Sequence, residues 1–228
     1  MAKNSYIIPN QIFVGLPWKN VRRRYEQIIH KLENKYPLYF AIVGRDDGQN
    51  AEDLLNIIKQ RIDSSSFAIF DATGGNANVS LEYGYAEGKD IERAIFLSEH
   101  KAAAKNSAVS PIISDLTGRR RVQYKNEKKL KIQLDKLCRD HNYTKRFEKA
   151  LSKILKGKAK GKKKNARTLA IKVVRALDKK TKVRRADLIQ SLQAKNYKQN
   201  DVDHILKKLN SAGLIECTVG RYSDVSIA

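Results

Sequence analysis

The segment from Phe67 to Gly88 constrains the fold more than any other part of the chain. Phe67 to Phe70 is a short apolar run that stops at Asp71. A central strand of a parallel sheet reads this way when it delivers a side chain at its carboxyl end. That edge is where open α/β sheets hold their ligands. Gly74 and Gly75 let a backbone approach a ligand closely. Asn78 is a good N-cap for a helix opening on Val79 and running to about Gly88. Glu82 then lies one turn inside that helix.

A helix glutamate ordinarily faces water, since buried Glu is rare. The neighbours of Glu82 argue for the other reading. Val79 and Ala86, three and four residues away, share its face, so the carboxylate sits on an apolar stripe. A carboxylate in such a place is expected to be functional or paired.

Around this segment, strand and helix alternate. Ile12 to Trp18 reads as a strand broken by Gly15 and Pro17, followed by a helical pattern from about Lys19 to Lys35. Leu38 to Val43 reads as a second strand, and a polar loop from Gly44 leads into a helix from Ala51 to Asp63. Phe67 to Asp71 is the third strand, Ala94 to Ser98 the fourth and Val109 to Ser114 a shorter fifth. The stretch Asp115 to Tyr124 closes the sheet, and helical patterns follow over Asn126–Asp140 and Tyr143–Leu155. This alternation predicts a parallel sheet covered on both faces.

Asp71, Asn78, Glu82, Gly84, Tyr85 and Ala86 together resemble the nucleoside 2-deoxyribosyltransferase-like family. Its members carry an Asp at a strand end, then a helix start of the type Asn-x-x-x-x-Glu-x-Gly-Tyr-Ala. Related TIR-like domains use a similarly placed glutamate to cleave the N-glycosidic bond of NAD. The resemblance implies an α/β fold with a Rossmann-like (flavodoxin-like) parallel sheet, and N-glycoside chemistry without a fixed substrate. It assigns Glu82 and Asp71 to catalysis. Phe13, Gly15, Leu16, Trp18, Gly44, Asn78, Tyr85 and Asp115 become the expected substrate-binding residues, Gly15 keeping the pocket floor low. Trp18 either stacks on the base or fills the core. Arg22, Arg23 and Arg24 form a solvated helix face or a surface for phosphates.

The formal net charge of +22 points to a polyanionic partner. It is unevenly spread: residues 1–150 hold 26 Lys and Arg against 18 Asp and Glu, and residues 151–228 hold 20 against 6. Lys156 to Lys164 alternates Lys with Gly and Ala, which predicts a flexible linker over 156–165 that contacts phosphates as a mobile arm. It divides a catalytic domain, 1–155, from a small domain, 166–228.

In that second part, short helices are expected over Thr168–Leu177, Arg185–Lys195 and Asn200–Leu209. A hairpin follows around Gly220 to Asp224. The order resembles a winged helix-turn-helix domain. The resemblance places Lys198, Gln199, Asn200, Lys207 and Lys208 at a major groove, Arg221 at the wing tip and Arg184 and Arg185 on phosphates. Lys160, Lys162, Lys163 and Lys164 of the linker add to the nucleic-acid contact. A winged helix used for protein contact is the competing reading.

The combination resembles the deoxyribosyltransferase-like effectors of bacterial retron anti-phage systems. It implies a toxic N-glycosidase acting on NAD or a related nucleotide or nucleoside, controlled by DNA or a DNA–RNA hybrid and a retron reverse transcriptase. A homo-oligomer is expected. In this mechanism Glu82 stabilises or traps the cationic anomeric carbon. Asp71 protonates a neutral leaving base, or binds ribose hydroxyls if nicotinamide leaves from an already cationic bond. The alternatives are a nucleotide-sensing winged-helix transcription regulator and a nucleoside salvage deoxyribosyltransferase.

No cofactor is called for. The cysteines, Cys138 and Cys217, and the four histidines are scattered without metal-ligand spacing. No apolar run reaches the ~20 residues that span a bilayer, and the N-terminus lacks an apolar signal core, so a cytoplasmic protein is expected.

Overall fold

Residues 6–17, 21–43, 54–99, 121–157, 159–177, 182–218 and 223–228 are described in a computed structural model of the chain. The chain forms two compact units. One comprises Met1–Leu32 and Phe40–Leu137, the other Glu33–Tyr39 and Cys138–Ala228.

The first unit contains β1 (Ile8–Gly15), α1 (Arg22–Glu33), β2 (Tyr39–Ala41), α2 (Leu54–Asp63), β3 (Ser65–Asp71), α3 (Ala77–Gly88), β4 (Arg93–Ser98) and β5 (Arg121–Tyr124). The helix α4 (Glu127–Asp140) follows. The five strands form one sheet in the order β2-β1-β3-β4-β5, and β1 with β3, β3 with β4 and β4 with β5 pair in parallel. This is the flavodoxin-like order, with a topological switch point between β1 and β3. The fold class is therefore the expected one. The fifth strand is Arg121–Tyr124, within the stretch expected only to close the sheet. The segment Val109–Ser114, expected from the sequence as a strand, lies outside the described residues.

Burial explains why β3 reads as a continuous apolar run: it is covered on both faces. Phe70 and Ala68 join Phe13, Val79, Tyr83 and Ala86 in one core cluster. Asp71 turns to the opposite face, because successive strand residues alternate. There it meets Tyr25 of α1, whose ring stands edge-on to Phe96 at 6.4 Å. Two cores thus sandwich the sheet, and their boundary runs between adjacent residues of β3.

In the second unit, α5 (Asn142–Leu155), α6 (Lys160–Ala176), β6 (Val183–Arg184), α7 (Arg185–Gln193), α8 (Gln199–Ser211), β7 (Ile215–Cys217) and β8 (Asp224–Ile227) follow one another. The three strands form an antiparallel sheet in the order β6-β8-β7. Leu169, Val173, Val174, Leu188, Leu192, Val202, Ile205, Leu206 and Leu209 fill its core.

Two expectations change here. The segment 156–165 is not a linker over its whole length, since α6 begins at Lys160. Helix propagation from the apolar stripe at Leu169 and Val173 carries the Lys-rich turn with it. The unit also starts upstream of Ala166. Helix α5 belongs to it, with Tyr143 donating its hydroxyl to the Leu214 carbonyl at 2.9 Å and Arg146 bonding the Gly213 carbonyl. His141 caps α5, its Nδ1 accepting from the Tyr143 amide at 3.2 Å, and burial pushes its pKa down to about 4.

Candidate active site

Gly15 ends β1 and pairs in register with Phe70 of β3, so both lie at the carboxyl edge of the sheet beside the switch point. Helix α3 descends onto that edge. Its N-cap is Asn76, whose side-chain oxygen accepts from the Val79 amide at 3.2 Å. Asn78, expected as the cap, lies in the first turn and is exposed. Gly74 and Gly75 have φ of 83° and 66°, the left-handed conformation that glycine adopts most readily, and this geometry places the cap two residues earlier.

With Val79 and Ala86 buried, α3 turns Glu82 toward Gly15. A β-carbon on Gly15 would collide with Glu82 Oε2 and lie 2.8 Å from Phe70 Cδ1. The glycine therefore makes room for a carboxylate. Glu82 Oε2 is buried and has no hydrogen-bond partner among the described residues. Burial pushes the Glu82 pKa up from 4.5 to about 7. A buried carboxyl oxygen without a donor costs folding free energy, which makes Glu82 a candidate for chemistry.

The cleft above it is lined by Phe13, Val14, Gly15, Leu16, Arg22, Ile42, Val43 and Glu82. Phe13, Gly15, Leu16 and Glu82 thus come together at one cleft. Arg22 was not foreseen there. It is the first residue of α1, with its side chain 15% exposed. Its Nε donates to Glu26 at 2.7 Å and its Nη1 reaches the Val43 carbonyl at 3.4 Å. The sequence reads Arg22, Arg23 and Arg24 as a solvated helix face or a surface for phosphates, without placing Arg22 at the cleft.

Asp71 departs from its expected role. It is fully buried, and its Oδ2 accepts from Tyr25 at 2.9 Å and Tyr124 at 2.7 Å. Its Oδ1 accepts from the Thr73 amide at 2.9 Å. Three donors thus converge on this one carboxyl and occupy both of its oxygens. Burial raises both tyrosine pKa values, with the Asp71 charge adding to the effect. Asp71 ties α1, β3 and β5 together and does not line the cleft. The cause is strand alternation, which sends it to the other face from Phe70.

Tyr85 also departs. Its hydroxyl donates to the Asp63 carboxylate at 2.9 Å and its ring lies beneath Lys59 and Lys89. It is not among the residues lining the cleft. Burial and the Asp63 bond raise its pKa to about 12. Trp18, Gly44 and Asp115 lie outside the described residues.

In the second unit, Lys162, Lys163, Lys164, Arg184, Lys198, Gln199, Asn200, Lys207 and Lys208 are exposed. Lys160 opens α6. Arg185 is engaged by Asp203 at 2.7 Å, so part of its charge is already paired. Arg221 lies outside the described residues. Among the described residues no helix is long and apolar enough to cross a membrane. No group of three or more His, Cys, Asp or Glu side chains among them could hold a metal ion.

No protein-family model matches the chain, and no curated protein does. Among solved structures, a CMP N-glycosidase of Clostridium botulinum, BcmB, aligns at a TM-score of 0.38 and 15% identity. The alignment covers 56% of this chain and 98% of that one. A likeness at that level bears on neither the fold nor the activity of this chain.

Proposed function

We propose that the chain is an N-glycosidase that cleaves the bond between a ribose or deoxyribose and its base in NAD or a related nucleotide or nucleoside. The observation that carries this reading is Glu82, a half-buried residue whose Oε2 is buried without a hydrogen-bond partner among the described residues and lies over a glycine floor at the switch point of the sheet. As the bond to the base breaks, its electron pair leaves with the base and positive charge develops on the anomeric carbon. Ionised Glu82 faces that charge in a cleft partly removed from water, where electrostatic stabilisation is strong. Water adds to the carbon, directly or after a covalent glycosyl intermediate on Glu82. Asp71 positions the sheet edge and takes no part in proton transfer. An already cationic glycosidic bond, as in NAD, needs no proton on its leaving group; a neutral base needs a donor other than Asp71.

The second unit is read as a winged-helix module that binds nucleic acid and controls the enzyme, within a retron-type anti-phage system. The order α6, β6, α7, α8, β7, β8 and the exposed cations of α8 support it.

The test incubates the protein and its Glu82→Gln variant with NAD and with nucleosides and nucleotides, with and without structured nucleic acid. Free base is read by chromatography. Release by the wild type and its loss in the variant is the expected result. Tight nucleic-acid binding with no base released under any condition would favour a nucleotide-sensing regulator instead.

A further inference from the structure

We infer that Arg22 anchors a phosphate of the substrate, so that the cleft takes nucleotides, as 5′-phosphate esters or dinucleotides, in preference to free nucleosides. This rests on the N-glycosidase reading above and narrows it to one substrate class.

Arg22 shares the cleft with Glu82, Gly15 and Leu16. Its side chain is withdrawn from water, 15% exposed, although an i,i+4 pair with Glu26 alone would form as well on an open helix face. Bonds to Glu26 and to the Val43 carbonyl hold the guanidinium in place. A fixed guanidinium presents a planar fork suited to phosphate oxygens. Glu82 Oε2 accepts no hydrogen bond from Arg22 or from any other described residue. The cleft therefore carries two separate poles. Glu82 is placed for the cationic sugar carbon, and Arg22 for an anion elsewhere on the same molecule.

The start of α1 fits this assignment. Its first turn is Arg22, Arg23 and Arg24 with no acid. Cations at the positive end of a helix repel the dipole, and an anion bound there offsets that repulsion.

The experiment compares each nucleoside 5′-monophosphate with its own nucleoside, and NAD with nicotinamide riboside. Wild type, Arg22→Gln and Arg22→Lys are assayed for base release, and for ligand-induced rise in melting temperature. The expected result is preference for the phosphorylated partner in the wild type. In Arg22→Gln, KM for it should rise roughly 10- to 100-fold, as for loss of a charge-assisted bond. Turnover should be nearly kept, and Arg22→Lys should recover part of the affinity. Equal use of nucleoside and nucleotide, or equal loss of both in Arg22→Gln, overturns the anchor while leaving the glycosidase in place. If no base is released, the glycosidase reading fails. The anchor is then judged by melting temperature alone. A nucleotide-induced rise that Arg22→Gln abolishes and Arg22→Lys retains upholds it; a rise unchanged in Arg22→Gln, or none in the wild type, overturns it.

Discussion

Replacing Gly15 by alanine tests the closest approach in the cleft. The added methyl would meet two side chains, Glu82 at its carboxylate and Phe70 at its ring, 2.8 Å from Cδ1 and 3.2 Å from Cε1. They differ in how far they can yield. The Glu82 carboxylate is the end of a flexible side chain, whereas Phe70 is 1% exposed and packs against Phe13 and Tyr83 with ring centroids 5.8 and 5.5 Å away. Phe70 sits inside the core cluster with Phe13, Val79 and Tyr83, so the penalty is that of an overpacked core, about 1–3 kcal/mol. In a domain of this size that lowers the melting temperature by roughly 2–12 °C. The carboxylate is displaced as well, and a shift of about 1 Å in a catalytic group costs on the order of 100-fold in turnover. Thermal unfolding by circular dichroism and base release by chromatography read the two effects separately. A double-mutant cycle with Glu82→Ala divides the stability penalty: the part due to the carboxylate vanishes in that background and the part due to Phe70 remains. A Gly15→Ala protein with unchanged melting temperature and unchanged turnover would refute the geometry of the floor.

Three further outcomes follow from the same geometry. The Glu82 carboxyl titrates near 7 when folded and near 4.5 when unfolded, so between those pH values the folded state holds more protons. Stability then falls as pH rises from about 4.5 to 7, by at most about 3 kcal/mol. Denaturant titrations of wild type against Glu82→Gln should diverge across that window, and parallel curves would contradict the burial of the carboxyl. Asp71→Asn weakens acceptance from two buried hydroxyls and an amide and should cost about 2–4 kcal/mol by urea denaturation; full stability with lost activity would return Asp71 to a catalytic role. Lys207→Ala and Lys208→Ala should each reduce the salt dependence of nucleic-acid binding by about one unit of log–log slope, and an unchanged slope would remove α8 from the interface.

The sheet was readable because β1, β3 and β4 are apolar runs bounded by turn residues, and Glu82 because its helix neighbours Val79 and Ala86 are apolar. Asp71 was misread for the reason that made β3 easy to find. A strand buried on both faces shows no alternation, so the sequence does not say which face its last residue takes. Tyr85 follows Glu82 by three positions and was placed with the substrate, but its partner Asp63 belongs to another helix and lies 22 residues away. Arg22 was hidden by its neighbours Arg23 and Arg24, which are exposed as a solvated face requires. The helix at Lys160 was missed because composition alone, Lys with Gly and Ala, describes a coil; an apolar stripe further along the helix overrides it.

The bonds on Asp71 also bear on how the first unit assembles. Tyr25 and Tyr124 lie 46 and 53 residues from Asp71, and both must be in place before the buried carboxyl is satisfied. Contacts between segments so distant in sequence carry a large loop-closure cost and slow the search for the native topology. A chain with β3 formed but α1 or β5 undocked leaves the Asp71 carboxylate short of one hydroxyl donor, with only the local Thr73 amide independent of that docking. Partly assembled sheets are thereby disfavoured, and docking of the first helix and the last strand is coupled through a single side chain.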